Sequence, residues 1–307
     1  MADTVDGPLS RATAAFLAHL TARHYSPNTV ATYAFDLRHL LERVGEAAPE
    51  SLTAHDLRRA LGGLHGAGLQ AKTLARTLSA WRSFFHYLAR QGTVDANPCL
   101  GLRPPKGDKK LPNALSVDAM AHLLEDPGDD VWAIRDAAMF ELMYSSGLRR
   151  AELIGLDLAS VDPEGAEVKV TGKGSKARVV PVGRRALAAL ARWRAVRDTV
   201  AKDPEALFVG ARGGRIAPGV LTLALKQLAR RQDVTARVHP HALRHAFASH
   251  VLQSSGDLRA VQEMLGHASL STTQVYTHLD FQHLARVYDQ AHPRARKKPP
   301  PDAPGDP

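Results

Sequence analysis

The chain has 307 residues, enough for two domains that each bury a core, and its 44% hydrophobic and 23% charged residues are those of a globular protein. Forty Lys plus Arg against 31 Asp plus Glu leave a formal net charge of +9, a balance that favours a polyanionic partner. Cys99 is the only cysteine, which excludes an intrachain disulfide and a cysteine-based zinc site.

The segments around Leu20 and Leu190 are interrupted by polar residues too often to span a bilayer. Asp3 and Asp6 stand where a signal peptide is basic, so the expected location is the cytoplasm, with no membrane partner.

In SPNTVATYAFDLRHLLERVG, Ser26 is placed to cap a helix, Pro27 suits its first turn and Gly45 follows its end. Val30, Tyr33, Leu37, Leu40, Leu41 and Val44 recur at helical spacing and form one apolar face. Thr53 is the expected cap of the next helix, LTAHDLRRALGGL. LQAKTLARTLSAWRSFFHYLARQG predicts a longer helix closed at Gly92, with Lys72, Arg76 and Arg82 as basic positions outside its apolar set and candidate DNA contacts. About four amphipathic helices with almost no strand signal make residues 1–96 a small helical domain, without a fixed-period repeat. NPCLGLRPPKGDKKLPNALS is dominated by proline, glycine and lysine, which predicts an extended basic linker over 97–115.

The second domain, residues 116–292, is mixed. VWAIRDAAMFELMYSSGLRRAELIGLD predicts a helix, a break at Gly147 and a second helix. AEVKVTGKGSKARVVPVG alternates around a glycine-rich turn and predicts a β-hairpin, and helical segments then continue to Tyr288. The fold class is therefore mainly α with a small β-sheet, an α+β second domain. PRARKKPPPDAPGDP is basic and then proline-rich, so residues 293–307 are expected to be a disordered tail.

Chemistry concentrates in HPHALRHAFASH. His241 and His245 share a helix face and are spaced for zinc, but Ala242 stands where H-E-x-x-H needs glutamate, and no acidic residue lies nearby. His241 and Arg244 are i, i+3 neighbours, and an arginine fork matches phosphate oxygens; a solvated arginine beside a packed histidine is the plain alternative. Arg149 follows the Gly147 break, where an ion pair with Glu152 is the competing explanation. Lys173 sits in the glycine-flanked hairpin turn, which is not a Walker A loop because Glu167 occupies the required first glycine. His267 precedes Tyr276, and Ser271 with Gln274 forms a capping box that places Tyr276 early in a helix.

Taken in order, GLRRAEL, TGKGSKAR, HALRH and LGHASLSTTQVYTHLD resemble the signatures of the tyrosine recombinases, the phage integrase family. The likeness runs from YSPNTVATYAFDL to AHPRA, and its last part looks more like the XerC branch than the XerD branch. It implies a helical core-binding domain and a catalytic domain that close as a C-shaped clamp on double-stranded DNA. It also implies site-specific recombination through a 3′-phosphotyrosyl intermediate and a Holliday junction, resolving chromosome dimers at a dif-like site before division. Arg149 and Arg244 would clamp the scissile phosphate, Tyr276 attack it, His241 manage the phenolic proton, Lys173 protonate the leaving oxygen, and His267 donate to the phosphate or brace Tyr276.

No metal, ATP or other cofactor is expected. The implied partners are an XerD-like recombinase in a cyclic heterotetramer and a septal DNA translocase as activator. A type IB topoisomerase, an integrase and a catalytically silent DNA-binding protein are the rival readings. Lambda-type integrases usually carry a further arm-binding domain, for which the residues before Ser10 leave no room. Finally, Phe281, Leu284, Ala285 and Tyr288 make a narrow apolar face on a short helix; docking on its own domain is one expectation, and docking on a neighbouring subunit is the one the resemblance favours.

Overall fold

The structure is a computed structural model that describes residues 7–106, 115–125, 128–172, 177–236, 238–266 and 278–295, with the backbone alone for 278–282. The chain divides into two compact units, Met1–Leu111 and Pro112–Pro307, each with its own core.

The first unit holds four α-helices among the described residues: α1 (Pro8–Ala22), α2 (Pro27–Val44), α3 (Ala54–Gly66) and α4 (Ala71–Arg90). The expected caps form. Ser26 Oγ accepts the Thr29 amide, and Thr53 and Asp56 make a reciprocal capping box, satisfying amides that a helix start leaves unpaired. Leu37 and Leu40 of α2 pack with Leu57 and Leu61 of α3 and with Leu78, Trp81 and Phe84 of α4 in one apolar cluster. Asp36 is fully buried within it, and three donors balance its charge: both nitrogens of an Arg76 fork at 3.0 and 2.9 Å and the Thr77 hydroxyl at 2.8 Å.

The segment expected to be linker from Asn97 differs in its first part. Cys99 and Leu102 are buried in the first unit's core, and Arg82 donates to both of their carbonyls. A proline- and glycine-rich composition marks irregular backbone, but two apolar side chains suffice to dock it. Residues 107–114 of that segment lie outside the described residues.

The second unit is built around α6 (Val131–Ser145), which follows α5 (Val117–Leu123) and is buried along its last two turns. Gly147 breaks the chain before α7 (Arg150–Ile154). A three-stranded antiparallel sheet follows, β1 (Val161–Asp162), β2 (Glu167–Thr171) and β3 (Ala177–Pro181), with Val168 opposite Val180 and Val170 opposite Arg178. Then come α8 (Arg184–Arg197), α9 (Pro218–Arg231), α10 (Pro240–Ser255), α11 (Leu258–Leu265) and α12 (His278–Ala291). The α+β expectation is met, since α8 and α10 pack on α6 while the sheet stands beside α7, α11 and α12.

Two expectations for the C-terminal region are corrected. The apolar face of α12 docks on its own unit: Leu284 and Tyr288 are buried against α10 and β3, so docking on a neighbour is not what covers them. The Tyr288 hydroxyl lies 2.6 Å from Ser145 Oγ of the same unit. Residues 293–295, expected to belong to the tail, are part of the second unit. Arg294 is buried with Glu141 at 3.2 Å, and Ala295 O accepts from Arg184. The basic residues of that segment are therefore partly structural, while residues 296–307 lie outside the described part. Among the described residues no helix is long and apolar enough to cross a membrane.

Candidate active site: three arginines on one carboxylate

Gly147 turns the chain between α6 and α7 with φ +57°, and a Cβ there would lie 2.4 Å from the Phe247 ring, so only glycine fits. The turn makes Arg149 the N-cap of α7 and puts Glu152 at its third position. Glu152 reaches back to the Arg149 amide at 2.7 Å and to the Arg149 guanidinium at 2.8 Å. The plain ion pair anticipated for Arg149 is thus present, but it is one spoke of a larger arrangement.

Arg178 enters from β3 and holds Glu152 with two bonds, at 2.7 and 3.0 Å. Arg244 enters from α10, and its guanidinium lies 3.8 Å from the same carboxylate. Burial opposes charge on Glu152, yet the hydrogen bonds and charge of Arg178, then Arg149, outweigh it and hold the carboxyl below the usual range. Arg244 is buried, and burial followed by the like charge of Arg149 lowers its pKa to about 10, so it remains a cation at neutral pH. It donates to Gly147 O and Leu265 O, both at 2.6 Å. Arg149 donates to Gly266 O at 3.1 Å and keeps 41% of its side chain exposed. Two cations with a shared anchor, one half-open to solvent, make a ready anion site.

The histidines of HPHALRHAFASH separate into different roles. His239 caps α10 by accepting the Ala242 amide on Nδ1 at 3.0 Å. His241 is exposed on the first turn of α10, its ring stacked on His239 with centroids 6.3 Å apart. His245 is half-buried, and His250 is buried with Nδ1 2.8 Å from the Tyr144 hydroxyl. Among the described residues no three metal-ligating side chains converge.

The structure thus brings Arg149 and Arg244 together and leaves His241 exposed one helical turn before Arg244. Lys173, His267 and Tyr276, with the Ser271–Gln274 capping box, lie outside the described residues. Of the basic positions on α4, Lys72 is exposed, whereas Arg76 and Arg82 are engaged with Asp36 and with the Cys99 and Leu102 carbonyls.

Sequence reasoning missed Arg178 altogether and saw Glu152 only as a local partner. A signal for Arg178 exists. In ARVVP it shares the inward face with Val180, a charged residue in an apolar register, which demands a buried partner.

Residues 14–92 match the phage integrase N-terminal SAM-like domain, and residues 113–283 match the phage integrase family. A tyrosine recombinase XerC of Ralstonia pickettii is 52% identical over 300 residues, covering 90% of this chain and 91% of that protein. The tyrosine recombinase XerC of Alcanivorax borkumensis is 49% identical over 288 residues, with 92% and 94% covered. Among solved structures, the XerH recombinase on palindromic difH, a post-cleavage complex, aligns with a TM-score of 0.69 at 23% identity, over 87% of this chain and 81% of that one. The Tn1549 integrase in complex with transposon right-end DNA aligns with a TM-score of 0.72 at 20% identity, over 91% and 98%. Likeness at that identity speaks to the fold, while the family matches and the half-identical relatives speak to descent: the chain belongs to the phage integrase family of tyrosine recombinases.

Proposed function

We propose that this recombinase resolves chromosome dimers at a dif-like site, in a cyclic assembly on DNA with an XerD-like partner and under a septal DNA translocase. The relatives named XerC support the role, and the XerH complex with difH supports the kind of site. The observation that carries the chemistry is the pairing of Arg149 and Arg244 around Glu152.

In this reading the two guanidiniums donate to the non-bridging oxygens of the scissile phosphate, whose charge makes it a stronger acceptor than the carbonyls they now hold. The Tyr276 phenol attacks phosphorus, the bond to the 5′-oxygen breaks, and a 3′-phosphotyrosyl link forms. A tyrosine with an ordinary pKa of about 10 needs nearby cations and a proton acceptor, which is the role proposed for His241. Lys173 protonates the departing 5′-oxygen, and His267 donates to the phosphate or braces Tyr276. The covalent link conserves the phosphodiester energy, so rejoining needs no ATP. Of the three candidates on α4, exposed Lys72 is the one best placed to contact DNA, with Arg76, also exposed but paired with Asp36, and half-buried Arg82 contributing.

The test is incubation with a nicked dif-like duplex and a denaturing gel. Wild type is expected to form a covalent adduct, and Tyr276→Phe is expected to bind equally and form none. An adduct in the Phe variant would move the role to another tyrosine. Tyr288 is a poor substitute, because burial pushes its hydroxyl well above the usual phenol range.

A further inference from the structure

Three consecutive carbonyls close α11, and each is held by a different arginine. Met264 O accepts Arg178 Nε at 2.9 Å, Leu265 O accepts Arg244 at 2.6 Å, and Gly266 O accepts Arg149 at 3.1 Å. A helix end leaves such carbonyls unpaired and carries the negative end of the dipole, so three cations there complement it. Gly266 takes φ +63°, and a Cβ on it would press on the Arg178 side chain at 3.1 Å.

Arg178 differs from the other two. It is buried to 6% exposure and comes from the hairpin that carries Lys173. Its three bonds join β3, α7 and α11 at one node. A buried ion pair is a poor stability device, since well-packed apolar residues often do as well or better. An inward strand position flanked by valines is also where an apolar residue would fit most simply. A planar fork at that position is better explained by geometry than by stability.

We propose that Arg178 is a positioning residue for strand cleavage: by clamping Glu152 and the end of α11, it fixes the separation of Arg149 and Arg244 and sets where the chain leaves α11 at Gly266. The inference rests on the reading of Arg149 and Arg244 as the phosphate clamp.

Arg178→Lys tests it, because an ammonium keeps the charge and loses the fork. Single-turnover cleavage of a nicked dif-like duplex at saturating protein is expected to fall on the order of 10- to 100-fold, the scale of a small misplacement. Affinity for the same duplex should stay within about 3-fold, because many phosphate contacts set it. The melting transition should survive. The acid limb of the cleavage rate should move to higher pH, because Glu152 loses the bonds that contribute most to lowering its pKa. A wild-type cleavage rate, a slower rate with an unmoved acid limb, or joint loss of rate, affinity and melting transition each overturns the proposal. Failure of the unmutated chain to cleave would strike the underlying reading instead. A DNA-free arm then still decides: the carboxyl carbon of Glu152, titrated by NMR in the free protein, should show a raised pKa in Arg178→Lys, and an unchanged value overturns the proposal.

Discussion

Arg244 combines two tasks that are usually separate. Its bonds to Gly147 O and Leu265 O staple the break after α6 to the end of α11, and its charge sits beside the half-open Arg149. Arg244→Ala should lower cleavage about 100- to 1000-fold, the effect of losing one preorganised donor. Leaving two buried carbonyls without a partner should also cost about 1–3 kcal/mol of stability each at most. DNA affinity rests on many phosphate contacts, so it should fall much less and keep its steep salt dependence. Cleavage rates and binding isotherms at several salt concentrations check this; normal cleavage with poor binding would make Arg244 an anchor only. At this scale Arg149, His241 and Arg244 were legible as a motif. The hub was not, because Glu152 gains Arg178 and Arg244 only when the fold brings side chains from β3 and α10 within reach of α7.

Among the elements, α12 shows how far pattern carries. An apolar face at i, i+3, i+4 and i+7 states that a helix must dock, not on what. Here Leu284, Tyr288 and Ala291 complete the second unit's own core, and Ser145 ties Tyr288 to α6. Truncation after Asp280 is therefore expected to abolish the cooperative unfolding of that unit. Leu284→Ala should cost about 2–5 kcal/mol, the range for emptying a buried leucine site. Urea unfolding followed by tryptophan fluorescence reads both, and an unchanged midpoint for the truncated chain would remove α12 from the core.

For the molecule as a whole, buried histidine couples stability to pH. His292 is fully buried among Tyr144, Phe247 and Tyr288, its Nδ1 accepts the Arg294 amide, and burial lowers its pKa to about 3 from 6.5. Between those values the unfolded chain binds a proton that the folded chain does not. The associated stability is thus complete above pH 6.5 and is lost as pH falls toward 3, by up to about 1.4 kcal/mol per pH unit. His250 shifts in the same direction, whereas Glu141, raised by burial, acts with the opposite sign. The informative quantity is therefore the difference between wild type and His292→Phe. Thermal unfolding from pH 4 to pH 7 should show the variant losing less stability on acidification, and parallel curves would refute the assignment.

What the sequence determined by itself is local or compositional. Ser26 and Thr53 cap helices through atoms three residues away, Gly147 breaks one through its own φ, and alternation around a glycine-rich turn makes a hairpin. The ordered motifs GLRRAEL, TGKGSKAR and HALRH likewise marked the family without coordinates. The tertiary structure alone decided which charges serve the interior. Arg76 and Lys72 are indistinguishable as basic residues on α4 and both are exposed, yet it is Arg76 that pairs with the buried Asp36. Arg82 donates to the carbonyls of Cys99 and Leu102, so the first unit continues past the boundary expected at Asn97. Capping and periodicity are set within one or two turns of chain, so they can be read in order. A guanidinium's partner is chosen by whichever distant carboxylate or carbonyl the packed core leaves within reach, and that choice exists only once the elements are assembled.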